Sequence, residues 1–297
     1  MPEPLTPETQ AALNLSDAER INYINGEFWI KYPRAEEILD KLEYLLSFPK
    51  RHRMPNLLIV GDTNNGKTMI VQRFQSKHPA HDNAEGDGIV LPVLVIQAPN
   101  VPDEGKFYDE ILTSLNAPFK IKEKESKKYF QILRILEGLE TRMLIIDELH
   151  NIIAGSLNRQ RALLNLIKNL GNRLRIPIVG VGTEDAYNAI NTDPQLSNRF
   201  EPMTLPRWQD NDEYLRLLVS FETMIPLKKP SDLVDDAIAD QLLYMSEGII
   251  GELANILSRA AVAAIKDKKE RISLKLLESL ASSNWILPSE RPSPTLK

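Results

Sequence analysis

The sequence predicts an α/β fold in which a parallel sheet is flanked by helices and followed by a small all-helical lid domain. Three observations lead to this prediction. Short apolar runs alternate with helical patterns through most of the 297-residue chain, an alternation typical of parallel sheets. A glycine-bounded loop joins the first apolar run to a helical pattern. After Pro206 the apolar runs stop and only helical patterns continue.

The elements follow from apolar spacing. Ile38, Leu42 and Leu45 or Leu46 lie at helical spacing and predict a helix over residues 34–48. Continuous apolar runs predict buried strands. The predicted strands are residues 57–60, 93–96, 143–146 and 178–181, and the intervening helices include residues 69–77, 107–115 and 157–174.

Composition shifts predict four segments. An N-terminal extension, partly disordered over about its first sixteen residues, lacks a clear apolar pattern, and a final Pro/Ser-rich stretch is typical of a flexible tail. The segments are the extension 1–33, the α/β domain 34–206, the helical lid 207–285 and the tail 286–297. Within the lid, helices are predicted at 211–221, 232–245, 250–265 and 273–281.

Composition also limits the function classes. With 42% hydrophobic and 26% charged residues, the chain is typical of soluble globular proteins. The absence of cysteine excludes disulfides and thiolate metal sites. No apolar run approaches membrane-spanning length, and the acids and prolines of residues 1–10 are unlike a signal peptide. A cytoplasmic protein without membrane contact is expected.

The loop after the first strand fits the pattern G-x-x-x-x-G-K-[ST] at every fixed position. Glycines at both ends let backbone N–H groups and the next helix N-terminus converge on phosphate oxygens. Lys67 is expected to reach the β and γ phosphates of ATP, and the Thr68 hydroxyl to bind Mg²⁺. The motif residues are Gly61, Asp62, Thr63, Asn64, Asn65, Gly66, Lys67 and Thr68, followed by Met69.

A second motif supplies the carboxylates that ATP hydrolysis requires. Asp147 and Glu148 end the apolar run 143–146, and the carboxyl ends of strands are where open α/β sheets bind ligands. Asp147 is predicted to bind Mg²⁺ and Glu148 to activate water. The histidines predict no zinc site, because His78 and His81 have too few fixed partners.

Longer strings around these motifs resemble the AAA+ ATPases and, within them, the TniB family of transposition proteins, relatives of the TnsC target-selection ATPases. The resemblance covers most of the chain. The strings are residues 29–35, 53–58, 64–67, 146–151, 179–183, 198–203, 246–248 and 250–253.

The resemblance implies further roles. Thr183 matches a polar sensor that positions the attacking water, and Arg199 an arginine finger that reaches the neighbouring subunit's γ-phosphate. Gln97 matches a residue that holds Glu148 inactive, and Tyr32 lies near the adenine. One position departs from the AAA+ pattern, since Ala254 occupies the place of a second sensor arginine, three residues after Gly251.

DNA contact is expected from local charge and from the resemblance. A net charge of −5 opposes binding over the whole surface. Residues 119–134 contain six basic and two acidic residues, and residues 157–175 contain five basic and none acidic; such runs are otherwise solvated helix faces. TnsC-like ATPases form rings or filaments around duplex DNA. That correspondence selects Lys106, Lys120, Lys122 and Lys124 as sequence-nonspecific phosphate contacts.

These features favour an ATP-dependent transposition protein. It would assemble as a homo-oligomer on target double-stranded DNA and recruit a DDE-type transposase, with a TniQ-like targeting protein as a further partner, and hydrolysis would control disassembly. An initiator- or helicase-loader-like ATPase that remodels a protein shares every nucleotide residue. A nucleotide-gated interaction module that does not hydrolyse ATP is a third alternative.

Overall fold

The computed structural model describes residues 5–84, 86–191, 198–283 and 285–291, without the side chains of residues 153 and 154. These residues form two compact units. The α/β unit comprises Pro33–Thr63 and Lys67–Leu205, and the helical unit comprises the described parts of Met1–Tyr32, Asn64–Gly66 and Pro206–Lys297. Residues 292–297 of the predicted tail lie outside the described residues.

The α/β unit is built on a five-stranded sheet in the order β2-β3-β4-β1-β5 with parallel neighbours. Its strands are β1 Asn56–Gly61, β2 Val93–Gln97, β3 Met143–Asp147, β4 Ile178–Gly182 and β5 Phe200–Leu205. Every residue of β1, β3 and β4 is buried, as expected where helices cover both faces. The predicted parallel α/β fold is confirmed.

The helices of the two units follow one another along the chain. The helical unit begins with α1 Pro7–Ala12 and α2 Asp17–Ile24. The α/β unit contains α3 Pro33–Ser47, α4 Lys67–Lys77, α5 Glu104–Ser114, α6 Glu125–Gly138, α7 Leu157–Leu174 and α8 Glu184–Asn191. The helical unit resumes with α9 Asp212–Met224, α10 Asp236–Ser246, α11 Ile250–Lys266 and α12 Leu274–Ser282.

Each unit has its own apolar core. In the α/β unit the sheet residues Leu144 and Ile146 pack with Phe107 of α5 and Ile167 of α7. In the helical unit a separate cluster joins α2 to α9–α12. Two independent cores explain why the chain forms two compact units.

Among the strands, one edge strand and one short hairpin were missing from the sequence prediction. One is the edge strand β5, in which Glu201 and Pro202 are exposed. Proline is tolerated on edge strands, where the pattern of buried residues is also weak, so no apolar run signals this strand. The other is a short antiparallel hairpin formed by His81–Asp82 and Ile89–Val90.

The described part of the N-terminal extension differs from the expected poor order. Thr6 caps α1, and Ser16 and Glu19 form a capping box at the start of α2, which satisfies backbone donors at the helix end. Arg20 on α2 is fully buried and donates to both oxygens of Glu270. The end of the described chain also differs from a flexible tail, since it contains the short helical turn Pro288–Glu290.

No single helix in the described parts of the chain is both long enough and apolar enough to cross a membrane. Only α10 and α11 taken together, with a 120° bend between them, reach that length and composition.

Candidate nucleotide site

The phosphate loop leaves the buried end of β1 and enters α4. Gly61 ends β1, and Lys67 begins α4. Within the loop the backbone φ angle is 63° at Asn64 and 82° at Gly66. Glycine adopts this left-handed region without strain, and asparagine tolerates it better than most residues. The residue types of the loop therefore suit the tight turn that the motif requires.

Lys67 is buried and turns its side chain back onto the loop. Its Nζ donates to the carbonyl oxygens of Gly61 at 2.8 Å and Asp62 at 2.7 Å. Burial lowers the pKa of Lys67, and the carboxylates of Glu148, Asp147 and Asp62 oppose this effect. The cation is therefore held within the loop, with three acidic groups close enough to favour its charged form.

Thr68 and Asp147 are in contact although 79 positions separate them in the sequence. The Thr68 hydroxyl donates to Asp147 Oδ2 at 2.8 Å. Asp147 is the last residue of β3 and is buried. Its Oδ1 accepts the Glu148 backbone N–H at 2.8 Å. The structure thus brings together the hydroxyl and the carboxylate that the sequence predicts as magnesium ligands.

Glu148 follows β3 in a left-handed backbone conformation, with φ 55°. Such conformations are uncommon in residues other than glycine and concentrate at functional sites. Glu148 Oε2 lies 3.1 Å from His150 Nε2. Gln97 lies beside Asp147 in the sheet register. His150 therefore helps to orient the Glu148 carboxylate in this structure.

Two buried polar atoms near the end of β4 have no hydrogen-bond partner among the described residues. They are Thr183 Oγ1 and His150 Nδ1. Thr183 directly follows β4, which lies between β3 and β1, so it shares the carboxyl edge of the sheet with Lys67 and Asp147. Because buried hydroxyls are ordinarily paired, the Thr183 hydroxyl is available for a bound group at this edge.

Arg199 lies on the opposite side of the same sheet, at the amino ends of the strands. It immediately precedes β5, whose first residue Phe200 pairs with Asn56, the first residue of β1. The six residues of β1 therefore separate Arg199 from the phosphate loop, a distance of about 17 Å at about 3.3 Å per residue. Arg199 Nη1 donates to Asn172 Oδ1 at 2.9 Å. The structure does not bring Arg199 together with the phosphate loop of its own chain.

Two further arginines, missed as functional candidates in the sequence, accompany Arg199. Arg51, Arg53 and Arg199 line one pocket of about 450 Å³. Glu201 also lines it, but its carboxylate accepts a hydrogen bond from Lys41 at 2.6 Å. Burial, and then the charge of Arg53, lower the pKa of Arg199. This edge of the sheet therefore offers a concentrated positive charge that an anion would stabilise.

The middle of the phosphate loop, Asn64–Gly66, belongs to the helical unit. Gly251 N–H donates to the Asn64 carbonyl oxygen at 3.0 Å, and Asn64 Nδ2 donates to Glu252 Oε1 at 3.0 Å. A Cβ at Gly251 would lie 2.2 Å from Asn64 Oδ1, so only glycine fits there. In the sequence, Gly251 is notable only for the absent arginine three residues later, and no motif marks Glu252 as a loop contact.

Tyr32 also lies close to the loop residues of the helical unit. Its hydroxyl would be 3.7 Å from a Cβ built on Gly66, and its ring packs edge-on against Trp208 at 5.3 Å between centroids. Burial raises the pKa of Tyr32 to about 12, so its hydroxyl stays neutral. Trp208, two residues after Pro206, is a second aromatic candidate, which no sequence motif marks.

The predicted DNA lysines lie on α5 and on the segment between α5 and α6. That segment is anchored by Lys128, which is 2% exposed. Lys128 Nζ donates to Asp109 Oδ1 at 2.5 Å and to the Ile121 carbonyl oxygen at 3.1 Å. A buried lysine thus fixes the backbone of this segment at Ile121. The four predicted lysines are all exposed: Lys106, Lys120, Lys122 and Lys124.

Comparison with known proteins gives the family. A family model described as "Bacterial TniB protein" matches residues 20–210, which is more than half of the chain. The chain belongs to the TniB family. By family and by fold it is an AAA+ ATPase: the phosphate loop and the Asp147-Glu148 pair predicted the ATPase, and the longer strings predicted the family.

Solved structures with the same fold include AAA+ proteins of the ORC/Cdc6 kind, which are similar to this TniB-family chain at low identity. The ORC2 protein of Aeropyrum pernix, in ADPNP and ADP complexes, is 16% identical, with 89% of this chain and 71% of that chain covered and a TM-score of 0.63. The corresponding values for Cdc6p of Pyrobaculum aerophilum are 18%, 87%, 68% and 0.61. For the A. pernix ORC1 protein in complex with DNA they are 16%, 84%, 64% and 0.60.

Proposed function

We propose that this TniB-family protein binds ATP and Mg²⁺, assembles with further copies on double-stranded DNA and there recruits and activates a DDE-type transposase. Hydrolysis of ATP ends the assembly. One observation carries the proposal: the nucleotide residues and Arg199 occupy opposite edges of one sheet. An arginine about 17 Å from its own phosphate loop serves a neighbour, so the site is completed only in an oligomer.

The residues at the carboxyl edge fit ATP and magnesium. Lys67 would exchange its two carbonyl contacts for the β and γ phosphates. Thr68 and Asp147 would hold Mg²⁺, which keeps several waters and takes one or two carboxylates together with phosphate oxygens. Hydroxyl and carboxylate oxygens 2.8 Å apart match that preference. When bound, the metal neutralises charge on the phosphates during transfer.

Hydrolysis in this proposal uses Glu148 and Thr183. Glu148 would accept a hydrogen bond from the attacking water, and the His150 contact at 3.1 Å holds the carboxylate in place until then. The buried, unpaired Thr183 hydroxyl would donate to the water or the γ-phosphate. Tyr32 and Trp208 provide apolar surface that suits the adenine base.

Arg199 is the proposed arginine finger, and its surroundings support the role. A guanidinium stabilises the charge that develops on the transferred phosphoryl group. Arg51 and Arg53 add positive charge to the same pocket, which raises its attraction for the triphosphate of a neighbouring copy. This arrangement is head-to-tail, and head-to-tail contacts produce either rings or filaments.

DNA contact is proposed through Lys106, Lys120, Lys122 and Lys124. These lysines are exposed, and Lys128 fixes the backbone of the segment that carries three of them. Both features suit salt-sensitive phosphate contacts. The similar ORC1 protein was solved in complex with DNA, which supports the proposal at the level of fold. The transposase and a TniQ-like partner are proposed from the family, as is a cytoplasmic, DNA-associated location in bacteria.

A second candidate function is favoured by the ORC/Cdc6 likeness. In that function the protein remodels a protein partner in the manner of an initiator or helicase loader and touches DNA little. The two functions share the nucleotide site and differ in the lysines. Changing the four lysines to Gln should abolish DNA binding and leave ATP binding intact if the first function holds.

The experiment that tests the proposal measures duplex-DNA binding and particle size with ATP, ADP or a nonhydrolysable analogue. Wild type is compared with Lys67→Ala and with Lys77→Ala, an exposed lysine at the far end of the same helix. Large assemblies on DNA with ATP or the analogue, lost only in Lys67→Ala, support the proposal. Nucleotide binding without any DNA binding would replace it with the protein-remodelling function.

The same assay identifies the DNA surface. The four-lysine variant is compared with a variant in which the exposed arginines of the second basic patch are changed. Loss in the first variant alone supports the proposed surface, and loss in the second alone moves the surface to α7. The residues changed in the second variant are Arg159, Arg161, Arg173 and Arg175.

A further inference from the structure

We infer that Glu252 and Arg291 are positioning residues for the phosphate loop, and that the C-terminal segment 285–291 thereby sets the nucleotide affinity of this protein. The inference rests on the proposed nucleotide site. It assigns a role to the chain end, for which the sequence predicted only flexibility, and to a carboxylate near the position where the AAA+ pattern carries an arginine.

The first observation is a buried carboxylate on the loop. Glu252 is 4% exposed, and its Oε1 accepts a hydrogen bond from Asn64 Nδ2 at 3.0 Å. The neighbouring Gly251 N–H donates to the Asn64 carbonyl oxygen at 3.0 Å. The side-chain amide and the backbone carbonyl of Asn64 are therefore both held by the start of α11. Asn64 is a loop residue with a left-handed φ angle.

The second observation is that one arginine neutralises this carboxylate. Arg291 Nη1 donates to Glu252 Oε1 at 2.8 Å, and Nη2 donates to Oε2 at 2.6 Å. This two-pronged geometry is the strongest form of an arginine–carboxylate contact. The pair keeps the pKa of Glu252 below its usual range, chiefly through the hydrogen bond to Arg291, and raises the pKa of Arg291. Glu252 is therefore ionised and paired.

The third observation is that the segment carrying Arg291 is itself attached to the helical unit. Trp285 Nε1 donates to the Met245 carbonyl oxygen at 3.0 Å. The Ser289 N–H donates to Glu247 Oε2 at 3.1 Å. The Arg291 guanidinium lies over the Trp285 ring, 5.6 Å from its centroid. These contacts hold Arg291 in position, so the geometry of the ion pair is set by the segment that carries it.

The consequence is electrostatic. A phosphate loop binds an anion of high charge, so an unpaired carboxylate on that loop repels the ligand. With Arg291 in place the charge is compensated, and Asn64 keeps its position. Withdrawal of the segment would leave the negative charge of Glu252 uncompensated beside the loop, and the affinity for ATP and ADP would fall. The nucleotide affinity of the loop thus depends on whether the segment 285–291 is attached to the helical unit.

The test is a double-mutant cycle on the full-length protein. Dissociation constants for ATP and ADP are measured by titration calorimetry for wild type, Arg291→Ala, Glu252→Gln and the double variant. Arg291→Ala is expected to weaken both nucleotides at least about tenfold, since one uncompensated charge acts near the phosphates. The double variant removes the carboxylate charge and is expected to regain most of the affinity. Arg291→Lys, which keeps the charge but loses the fork geometry, should be intermediate.

The matched control is Arg259→Ala. Arg259 also lies over the Trp285 ring, at 5.4 Å, but it makes no contact with Glu252. It should bind nucleotide as wild type does. The inference is overturned if Arg291→Ala binds like Arg259→Ala, or if the double variant is no tighter than Arg291→Ala. If wild type itself shows no Lys67-dependent nucleotide binding, the proposed function fails first, and this inference fails with it.

Discussion

Two arginine–glutamate pairs of the helical unit, Arg20–Glu270 and Arg291–Glu252, differ in what surrounds them. In the Arg20–Glu270 pair the arginine side chain has no solvent exposure and the glutamate side chain is 9% exposed. Arg20 also donates twice to the Pro226 carbonyl oxygen, at 3.1 and 2.6 Å. Arg20 thus connects α2 to two loops of the helical unit. Pro226 lies in the loop between α9 and α10, and Glu270 lies in the loop between α11 and α12.

The second pair, Arg291–Glu252, has a buried glutamate but an arginine that is 42% exposed. Its glutamate has a further partner, Asn64, which belongs to the phosphate loop. The same chemistry therefore serves two purposes. Removing a fully buried arginine leaves a buried charge and lowers stability, whereas removing a solvated arginine costs little stability and acts on the loop that its partner holds.

Removing Arg20 should produce the largest loss of stability. Arg20→Ala is expected to lower the free energy of unfolding of the helical unit by about 3–5 kcal/mol, because Glu270 remains buried and unpaired. Denaturant unfolding monitored by circular dichroism measures the loss. The matched control is Arg271→Ala, an exposed arginine next to Glu270 in sequence, which should change stability little. Equal effects in the two variants would contradict the architectural role of Arg20.

A side chain at Gly251 should disturb the phosphate loop next most strongly. In Gly251→Ala the Cβ would lie 2.2 Å from Asn64 Oδ1 and 2.4 Å from the Asn64 carbonyl oxygen, so the loop must move. Such overpacking costs about 1–3 kcal/mol, and here it should appear as weaker ATP binding. Gly138→Ala is the control, since its Cβ would meet nothing within 4 Å. Unchanged ATP affinity in Gly251→Ala would show that the loop position is unimportant.

The pH dependence of the unfolding free energy should reveal the contribution of the Arg20–Glu270 pair. The hydrogen bond from Arg20 is the largest cause that lowers the pKa of Glu270. The resulting stabilisation is complete above the unfolded-state pKa, about 4.3, and is lost as the pH falls through the lower folded-state value. Glu270→Gln should therefore show a shallower decline in unfolding free energy between about pH 5 and pH 3 than wild type. An identical slope would contradict an ionised Glu270.

Removing Arg291 should have the smallest effect on stability. Because Arg291 is 42% exposed, its removal opens Glu252 to water, which solvates the carboxylate, so Arg291→Ala is expected to change the free energy of unfolding by less than about 1 kcal/mol. Measured beside Arg20→Ala in the same denaturant titration, this result would show that the two pairs differ in purpose. A loss as large as that of Arg20→Ala would mean that the C-terminal segment is an architectural part of the helical unit.

Much of the nucleotide site was predictable because its residues belong to contiguous motifs. Lys67 and Thr68 follow from the spacing of the loop, and Asp147 follows from a buried strand that ends in a carboxylate. The contact between Thr68 and Asp147 confirms that the two motifs meet. For Arg199 the sequence suggested a role by resemblance, but its position relative to the phosphate loop depends on strand order, which places β5 next to β1.

Other residues carried no local signal. Trp208 and Arg53 look like ordinary residues near a boundary and before a strand. Lys128 belongs to a basic run that reads as a solvated helix face, yet it is 2% exposed and holds the backbone of Ile121. The edge strand β5 contains a proline and exposed polar residues, so its apolar pattern is too weak to recognise. In each case the deciding contact is made by another part of the chain.

The sequence by itself determined the parallel α/β fold, the phosphate loop and the acidic pair, because periodicity and motif spacing are properties of neighbouring residues. Only the tertiary structure decided which distant groups pair. Asn64 and Glu252 are 188 positions apart, and Arg20 and Glu270 are 250 apart. Such contacts arise from how whole helices pack around a core, so the free energy that selects them is shared among many residues and leaves no pattern at either partner.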